Sequence, residues 1–370
     1  MKAKALASAG SLALIGLFAL SACGSDNAVK TTTNDSSSDT QSNISGTLTG
    51  IGASSQQAAI TAWESGFATE HSGANVQYSP DGSGAGRKAF LAGAANFAGS
   101  DAHLSKEEYE ASKAVCGADG GIDIPVYISP IAIAFNVPGV KELKLDGETI
   151  AKIFKGDITK WNDTAIASQN NGVELPDTTI TVVHRSDDSG TTKNFTEYLE
   201  AASNGAWGKE ADGNWPSEYA GEANKGTSGV VSTTVATEGA ITYADASAIG
   251  SLGTVSVKTG EDYVKLSPES AAKTVEISER VGSMNEHDMS IDINRTPNES
   301  GAYPIVLVSY HIVCSTYKDQ NTVDLVKAYE SYVVSEKGQQ DAANAASSAP
   351  LTPALREEAQ KAVDSITVAK

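Results

Sequence analysis

The sequence predicts an α/β fold in two domains, on three observations. Short β-type runs alternate with stretches whose apolar residues recur at helical spacing, which is the rhythm of βαβ units. The chain has 370 residues, and at about 150 residues per domain that length leaves room for two. No repeat with a period of about 20 to 50 residues is visible, which counts against a solenoid.

The first 22 residues are set aside from the fold. Lys2 and Lys4 precede an apolar run from Ala5 to Leu20, the layout of a bacterial export signal. With Ser8, Gly10 and Ser11 inside it, the run is shorter than the roughly 20 residues a membrane span needs. Leu20, Ser21, Ala22 and Cys23 resemble a lipobox, which makes Cys23 the lipidated first residue of the mature chain. From Cys23 to Gly46 large apolar side chains are almost absent, so the stretch cannot bury enough surface to offset its ordering entropy and reads as a tether.

The remaining elements follow in order. Gln56 to Ala68 carries Ile60, Trp63 and Phe67 at helical spacing; Val76 to Tyr78 reads as a strand and Arg87 to Leu91 as the start of a helix. Pro125 to Val137 is a long apolar run suited to a buried strand. Thr149 to Phe154 suggests a helix, Ile180 to Val183 a strand ending at His184 and Arg185, and Thr191 onward a helix with Phe195, Tyr198 and Leu199. Ala240 to Tyr243 and Pro304 to Cys314 read as strands, and Val323 to Val334 as a helix. Thr254 to Pro297 is polar and acidic, like an insertion.

Charge and cysteines narrow the function. Loss of Lys2 and Lys4 leaves 25 basic against 46 acidic residues, a formal charge of −21, which argues against nucleic acid and anionic membrane surfaces as partners. Cys116 and Cys314 are the only cysteines after Cys23, and in an exported protein such a pair is expected to form a disulfide. Five scattered histidines without HxxH or HExxH spacing give no reason to expect a metal, and no cofactor is expected.

Four segments share one local design, a strand, then small polar residues, then a helix: Gly50 to Ser55, Asp81 to Gly86, Gly99 to Asp101, and Arg185 to Thr191. A helix N-terminus offers unpaired N–H groups and the positive end of the macrodipole, so these segments together suggest an anion cradle. Each one alone is also an ordinary cap or turn. Gly82 to Lys88 lacks the GxxxxGK[ST] spacing, and Asp188-Ser189-Gly190 lacks the flanking glycines of a protease nucleophile. Neither nucleotide binding nor hydrolysis is supported.

The chain resembles the phosphate-binding proteins of bacterial phosphate ABC importers from Leu48 to about Val363. The resemblance is carried by TGIGAS (Thr49 to Ser54), DGSGAGRK (Asp81 to Lys88), FAGSDAHLS (Phe97 to Ser105), IFKGDITKWND (Ile153 to Asp163), VVHRSDDSGTT (Val182 to Thr192), GAITYAD (Gly239 to Asp245) and YPIVLVSY (Tyr303 to Tyr310). It implies a type II periplasmic-binding-protein fold, two α/β lobes joined by a two-crossover hinge, with residues 47–127 plus 248–370 in lobe I and 128–247 in lobe II. It implies Ser54, Ser55, Ser83, Asp101, Arg185, Ser189, Gly190 and Thr191 as phosphate ligands, with a hydroxyl from Ser54 and only a backbone N–H required of Ser55. Asp187 is expected to hold the Arg185 guanidinium, and Asp101 to accept the proton that phosphate carries and sulfate lacks. With both cysteines in lobe I, the disulfide would tie its two chain segments without restraining the hinge. The expectation is a monomeric, lipid-anchored receptor on the outer face of the cell membrane. It would capture inorganic phosphate for the permease subunits of an ABC importer and catalyse nothing. The alternatives are a receptor for another tetrahedral oxyanion (sulfate, phosphonate, molybdate) or an exported hydrolase.

Overall fold

The computed structural model describes residues 44–370 with the exception of residue 283. The export signal, Cys23 and the tether up to residue 43 lie outside the described residues.

The chain opens with alternating strands and helices: β1 (Ser45–Gly52), α1 (Gln57–Glu70), β2 (Gly73–Ser79), α2 (Ser83–Leu91) and β3 (Phe97–Ser100). Strand pairing begins at Ser45, inside the stretch read as tether, because Ser45 pairs with Gly73. β1 runs parallel to both β2 and β3. Helix α1 buries Ile60, Trp63 and Phe67, the face its spacing foretold. Helix α2 starts four residues before the expected Arg87. Ser83-Gly84-Ala85-Gly86 has poor intrinsic helix propensity, but a Cβ on Gly86 would lie 2.5 Å from the Ile51 carbonyl. Only a glycine lets this turn of helix approach β1, so tertiary packing overrides propensity here.

Next come α3 (Lys106–Cys116), β4 (Gly121–Phe135), β5 (Glu142–Leu145), α4 (Gly147–Lys155), α5 (Thr164–Ala167), β6 (Thr181–Arg185), α6 (Gly190–Ala202), β7 (Glu222–Asn224), α7 (Gly226–Ala236) and β8 (Ala240–Asp245). The rest of the chain forms β9 (Gly253–Thr259), β10 (Asp262–Val264), α8 (Pro268–Glu276), β11 (Glu279–Arg280), β12 (Ile291–Asp292), β13 (Val306–Cys314), β14 (Thr316–Tyr317), α9 (Gln320–Val334), α10 (Glu336–Ala346), α11 (Pro353–Asp364) and β15 (Thr367–Val368). The polar stretch 254–297 therefore carries regular elements from β9 to β12.

The long strand β4 organises the sheet. All of its residues are buried, which accounts for its unbroken apolar sequence. Its first part, Gly121 to Pro130, pairs antiparallel with β13, and its last part, Ile131 to Phe135, pairs antiparallel with β8. The sheet order is β2-β1-β3-β13-β4-β8-β6-β7, with β9 joining the end of β4 and also pairing with β5 and β10. One continuous strand thus links a β1–β3 half to a β6–β8 half, and the loops after β1, β2, β3 and β6 meet between them.

Cys116 at the end of α3 is joined to Cys314 at the end of β13 by a disulfide, with Cα atoms 4.6 Å apart and a sequence separation of 198. The bond fastens the C-terminal strand to the N-terminal half.

Candidate anion-binding site

Asp101, just after β3, is the focus of the site and only 3% exposed. Burying a carboxylate is costly unless it is hydrogen-bonded, and three hydroxyls meet that need. Ser55 Oγ donates to Asp101 at 2.7 and 2.8 Å. Thr191 Oγ1 donates to Oδ2 at 2.9 Å, and Ser309 Oγ to Oδ1 at 2.5 Å. The Asp101 main chain is fixed as well, its N–H donating to Ser83 Oγ at 3.1 Å and its carbonyl accepting from Asn194 Nδ2 at 2.6 Å.

Helix starts deliver these groups. Ser55 precedes α1, Ser83 is the first residue of α2, and Gly190 and Thr191 open α6. A Cβ on Gly190 would lie 2.6 Å from both Asp101 Cβ and Ser83 Oγ, so only glycine admits the α6 N-terminus to this position. Ser189 Oγ caps α6 by accepting from the Thr192 N–H at 3.1 Å. Its own proton remains to donate elsewhere. None of α1, α2, α6 and α7 carries an acidic residue in its first turn, which keeps the positive ends of their dipoles uncompensated.

Arg185, at the end of β6, forms a bidentate pair with Asp187, Nε to Oδ1 at 2.8 Å and the second nitrogen to Oδ2 at 2.5 Å. Its side chain is 3% exposed, so this is a buried pair rather than a solvated surface one. Burial pushes the Asp187 carboxyl up, but Arg185 and the Gly226 N–H outweigh burial and hold it below the usual carboxylate range. The pair abuts the glycine loop before α2, since a Cβ on Gly82 would stand 2.5 Å from Asp187 Oδ2.

Ser54, near the end of the first loop, meets α7. Its Oγ accepts from the Thr227 N–H at 3.0 Å and lies 3.0 Å from Thr227 Oγ1, so it caps α7 from across the cleft. At Ser55, of which only the backbone N–H was required, the hydroxyl is engaged as well, on Asp101. Other contacts join the same two sides. The Gly84 N–H donates to the Asp188 carbonyl at 3.1 Å, Lys225 reaches Asp81 at 2.8 Å, and Lys88 reaches Asp188 at 3.4 Å.

Ser54, Ser55, Ser83, Asp101, Ser189, Gly190 and Thr191 are joined by these contacts or line the same cavities, and Arg185 is linked to them through Asp187, which accepts from the Gly226 N–H. Two cavities flank this group. One of about 340 Å³ is lined by Asp101, Ser189, Gly190, Arg87 and Lys193, and one of about 360 Å³ by Ser54, Ser55 and Thr227. Sequence reasoning missed Thr227, although Gly226-Thr227-Ser228-Gly229 repeats the strand, glycine, hydroxyl, helix design. It also missed Ser309, a lone hydroxyl inside an apolar strand.

A cluster of hydroxyls and helix N-termini around one buried acceptor suits an oxyanion that brings a proton of its own. Comparison with known proteins places the chain in a family. A PBP superfamily domain model matches residues 37–337. The phosphate-binding protein PstS 3 of Mycobacterium leprae is 40% identical over 328 residues, covering 86% of this chain and 88% of that protein. PstS2 of Mycobacterium bovis is 38% identical, covering 89% and 90%. Among solved structures, a high-affinity periplasmic phosphate-binding protein (PfluDING) bound with phosphate matches with a TM-score of 0.69 at 22% identity, covering 85% of this chain and 93% of that one. A phosphate-binding protein from Stenotrophomonas maltophilia gives 0.64 at 21% identity, covering 86% and 94%. At those identities the two structures speak for the fold alone.

Proposed function

The chain belongs to the PBP superfamily and, within it, to the family of phosphate-binding proteins, and on that premise we propose that it captures inorganic phosphate outside the membrane and delivers it to an ABC importer. The observation that carries the reading is Asp101, a buried carboxylate that accepts three hydroxyl protons amid helix N-termini. Such a carboxylate repels a fully deprotonated anion and welcomes one with a proton to share. Phosphate near neutral pH carries that proton and sulfate does not, so a carboxylate held in its accepting form favours phosphate.

In this reading Ser83 and Ser189 donate their hydroxyl protons to the ligand, and Ser54, Ser55, Gly190 and Thr191 offer it N–H groups, since the Ser55 and Thr191 hydroxyl protons go to Asp101. Arg185 supplies fixed positive charge, held in place by Asp187. The β1–β3 half and the β6–β8 half are two lobes closing on phosphate, with Ser54–Thr227 and Asp81–Lys225 as contacts of the closed form. β9 and β10, which the sequence division placed with lobe I, go with lobe II because they pair with β5 and the end of β4. The protein acts as a monomeric receptor and performs no catalysis. Cys23 carries the lipid that holds it at the outer face of the cell membrane. Equilibrium dialysis of the full chain in detergent against labelled phosphate tests capture: one phosphate per chain is expected, and none would overturn the reading. Cys23→Ala is expected to move the protein from the membrane fraction to the medium.

A further inference from the structure

Asp101 is the outer end of a chain of polar side chains that runs away from the site into the core. Ser309 Oγ, which donates to Asp101, also accepts from Gln56 Nε2 at 2.5 Å. The same Nε2 donates to the Tyr310 carbonyl at 3.2 Å. Gln56 Oε1 lies 3.2 Å from His311 Nε2, and His311 Nδ1 lies 2.8 Å from Glu330 Oε2. Ser309, Gln56, His311 and Glu330 are each 0% exposed. Rings of Trp63, Phe97 and Tyr329 enclose His311. A buried polar chain of this kind is seldom more stabilising than apolar residues of the same volume, so packing alone does not account for it.

The direction of the chain is fixed by its geometry. A backbone carbonyl can only accept, so the Gln56 atom facing the Tyr310 carbonyl is the amide nitrogen. That nitrogen also donates to Ser309, which leaves the single Ser309 proton for its remaining partner, Asp101 Oδ1. On the other side Gln56 Oε1 can only accept, so His311 Nε2 carries a hydrogen, and His311 Nδ1 and Glu330 share another. Every bond from the His311–Glu330 pair outward therefore donates toward Asp101. The spacing makes this possible, since Ser309 and His311 are two apart on β13 and share a face.

We propose that Gln56, Ser309, His311 and Glu330 are positioning residues that hold Asp101 as a hydrogen-bond acceptor, and that this polarity sets the preference for a proton-bearing oxyanion over a fully deprotonated one. The inference rests on the phosphate reading above. With the donor from Ser309 lost, Asp101 is held less firmly as an acceptor, and its bias against a fully deprotonated anion weakens.

The test uses the full chain in detergent and measures phosphate and sulfate affinity for Gln56→Glu, Ser309→Ala and the double variant. Gln56→Glu keeps the shape of the side chain but replaces its donor by an acceptor, which pulls the Ser309 proton away from Asp101. Each single variant is expected to bind sulfate more tightly and phosphate less tightly, lowering the ratio at least about tenfold. The double variant is expected to fall no further than the stronger single one, because the residues act in series. A gain in sulfate affinity is a signature that structural damage cannot produce. Both anions weakened equally, an unchanged ratio, or additive losses would overturn the relay. Ser309→Ala deletes one oxygen and carries the test by itself if Gln56→Glu does not fold. Asp101→Asn separates the two readings: if it abolishes the preference while the relay variants do not, the relay fails and the phosphate reading stands.

Discussion

Three helices that begin around the anion site, α1, α2 and α7, start differently from most others in the protein, whereas α6, which brings Thr191 to Asp101, is capped by Ser189. In α4, α8, α9, α10 and α11 the N-cap residue (Asp146, Ser267, Asp319, Ser335 or Thr352) accepts a hydrogen bond from the first turn with its own side chain. Glu148, Glu269 and Glu336 add negative charge to the first turns of α4, α8 and α10. In α1, α2 and α7 no side chain of the N-cap residue accepts, and no first-turn residue is acidic. A capped helix gains about 1 kcal/mol from its own sequence. The uncapped ones forgo that gain, and their N–H groups stay available for an oxyanion or for a hydroxyl reaching across the cleft, as Ser54 does for α7. At α1, α2 and α7 the helix start is left open for binding, while at α6 one serine caps the helix and keeps a proton to donate.

The sharpest way to break that comparison is Arg185→Gln. It removes the buried positive charge and strands Asp187, and losing one partner of a buried pair costs roughly 3–5 kcal/mol. We expect phosphate affinity to fall more than about 100-fold, measured by calorimetry. A loss under about tenfold would mean that the helix starts bind phosphate without the arginine.

A pH titration then tests a second buried carboxylate, Asp245. Asp245 is fully buried where β8 leaves the shared strand, and burial pushes its carboxyl up to about 6, against the opposing hydrogen bonds of Ser247 and Ser129. Its folded value lies above the unfolded one, so its contribution to stability is complete below about 4 and is lost as pH rises through about 6. The shift corresponds to roughly 3 kcal/mol. Denaturant melts of Asp245→Asn against the parent should show the parent losing stability relative to the variant between about pH 4 and 6. Parallel pH curves would contradict this.

The smallest effects have opposite signs at the two kinds of helix start. Ser267→Ala, at the capping box of α8, should cost about 1 kcal/mol in a thermal melt and leave phosphate affinity unchanged. Gln57→Glu, at the exposed first residue of α1, should raise stability by about 0.3–1 kcal/mol, because an acid suits a helix N-terminus. It should also weaken phosphate several-fold, because the new charge repels the ligand. A variant of Gln57 that bound phosphate as before would remove α1 from the site.

Most of the architecture was legible from periodicity. The strands at Val76, Pro125, Ile180, Ala240 and Pro304 and the helices at Gln56, Thr149, Thr191 and Val323 all lie on observed elements, because each buries one strongly apolar face or both. The start of α2 was not legible, since Ser83-Gly84-Ala85-Gly86 reads as a loop and becomes helical only against β1. The polar hairpin of β9 and β10 gave little apolar signal. At the site, glycine and hydroxyl loops stood out locally, so the first contacts of the cradle were readable. The relay was not, because Ser309 and His311 are lone polar letters of an apolar strand, while Gln56 lies in a polar run, Ser54 to Gln57, that hides it. Glu330 comes near only once β13 pairs beside β3. The clue lay in VLVSYHIVC, where Ser309 and His311 fall on one face of a wholly buried strand.

The most direct test of the account is calorimetric titration of the full chain in detergent, freed of carried-over ligand, with phosphate and then sulfate near pH 7, alongside Asp101→Asn. Tight one-to-one binding of phosphate with no heat from sulfate is expected, with loss of that preference in the variant. Equal binding of both anions by the parent chain, or a preference unchanged in Asp101→Asn, would contradict it.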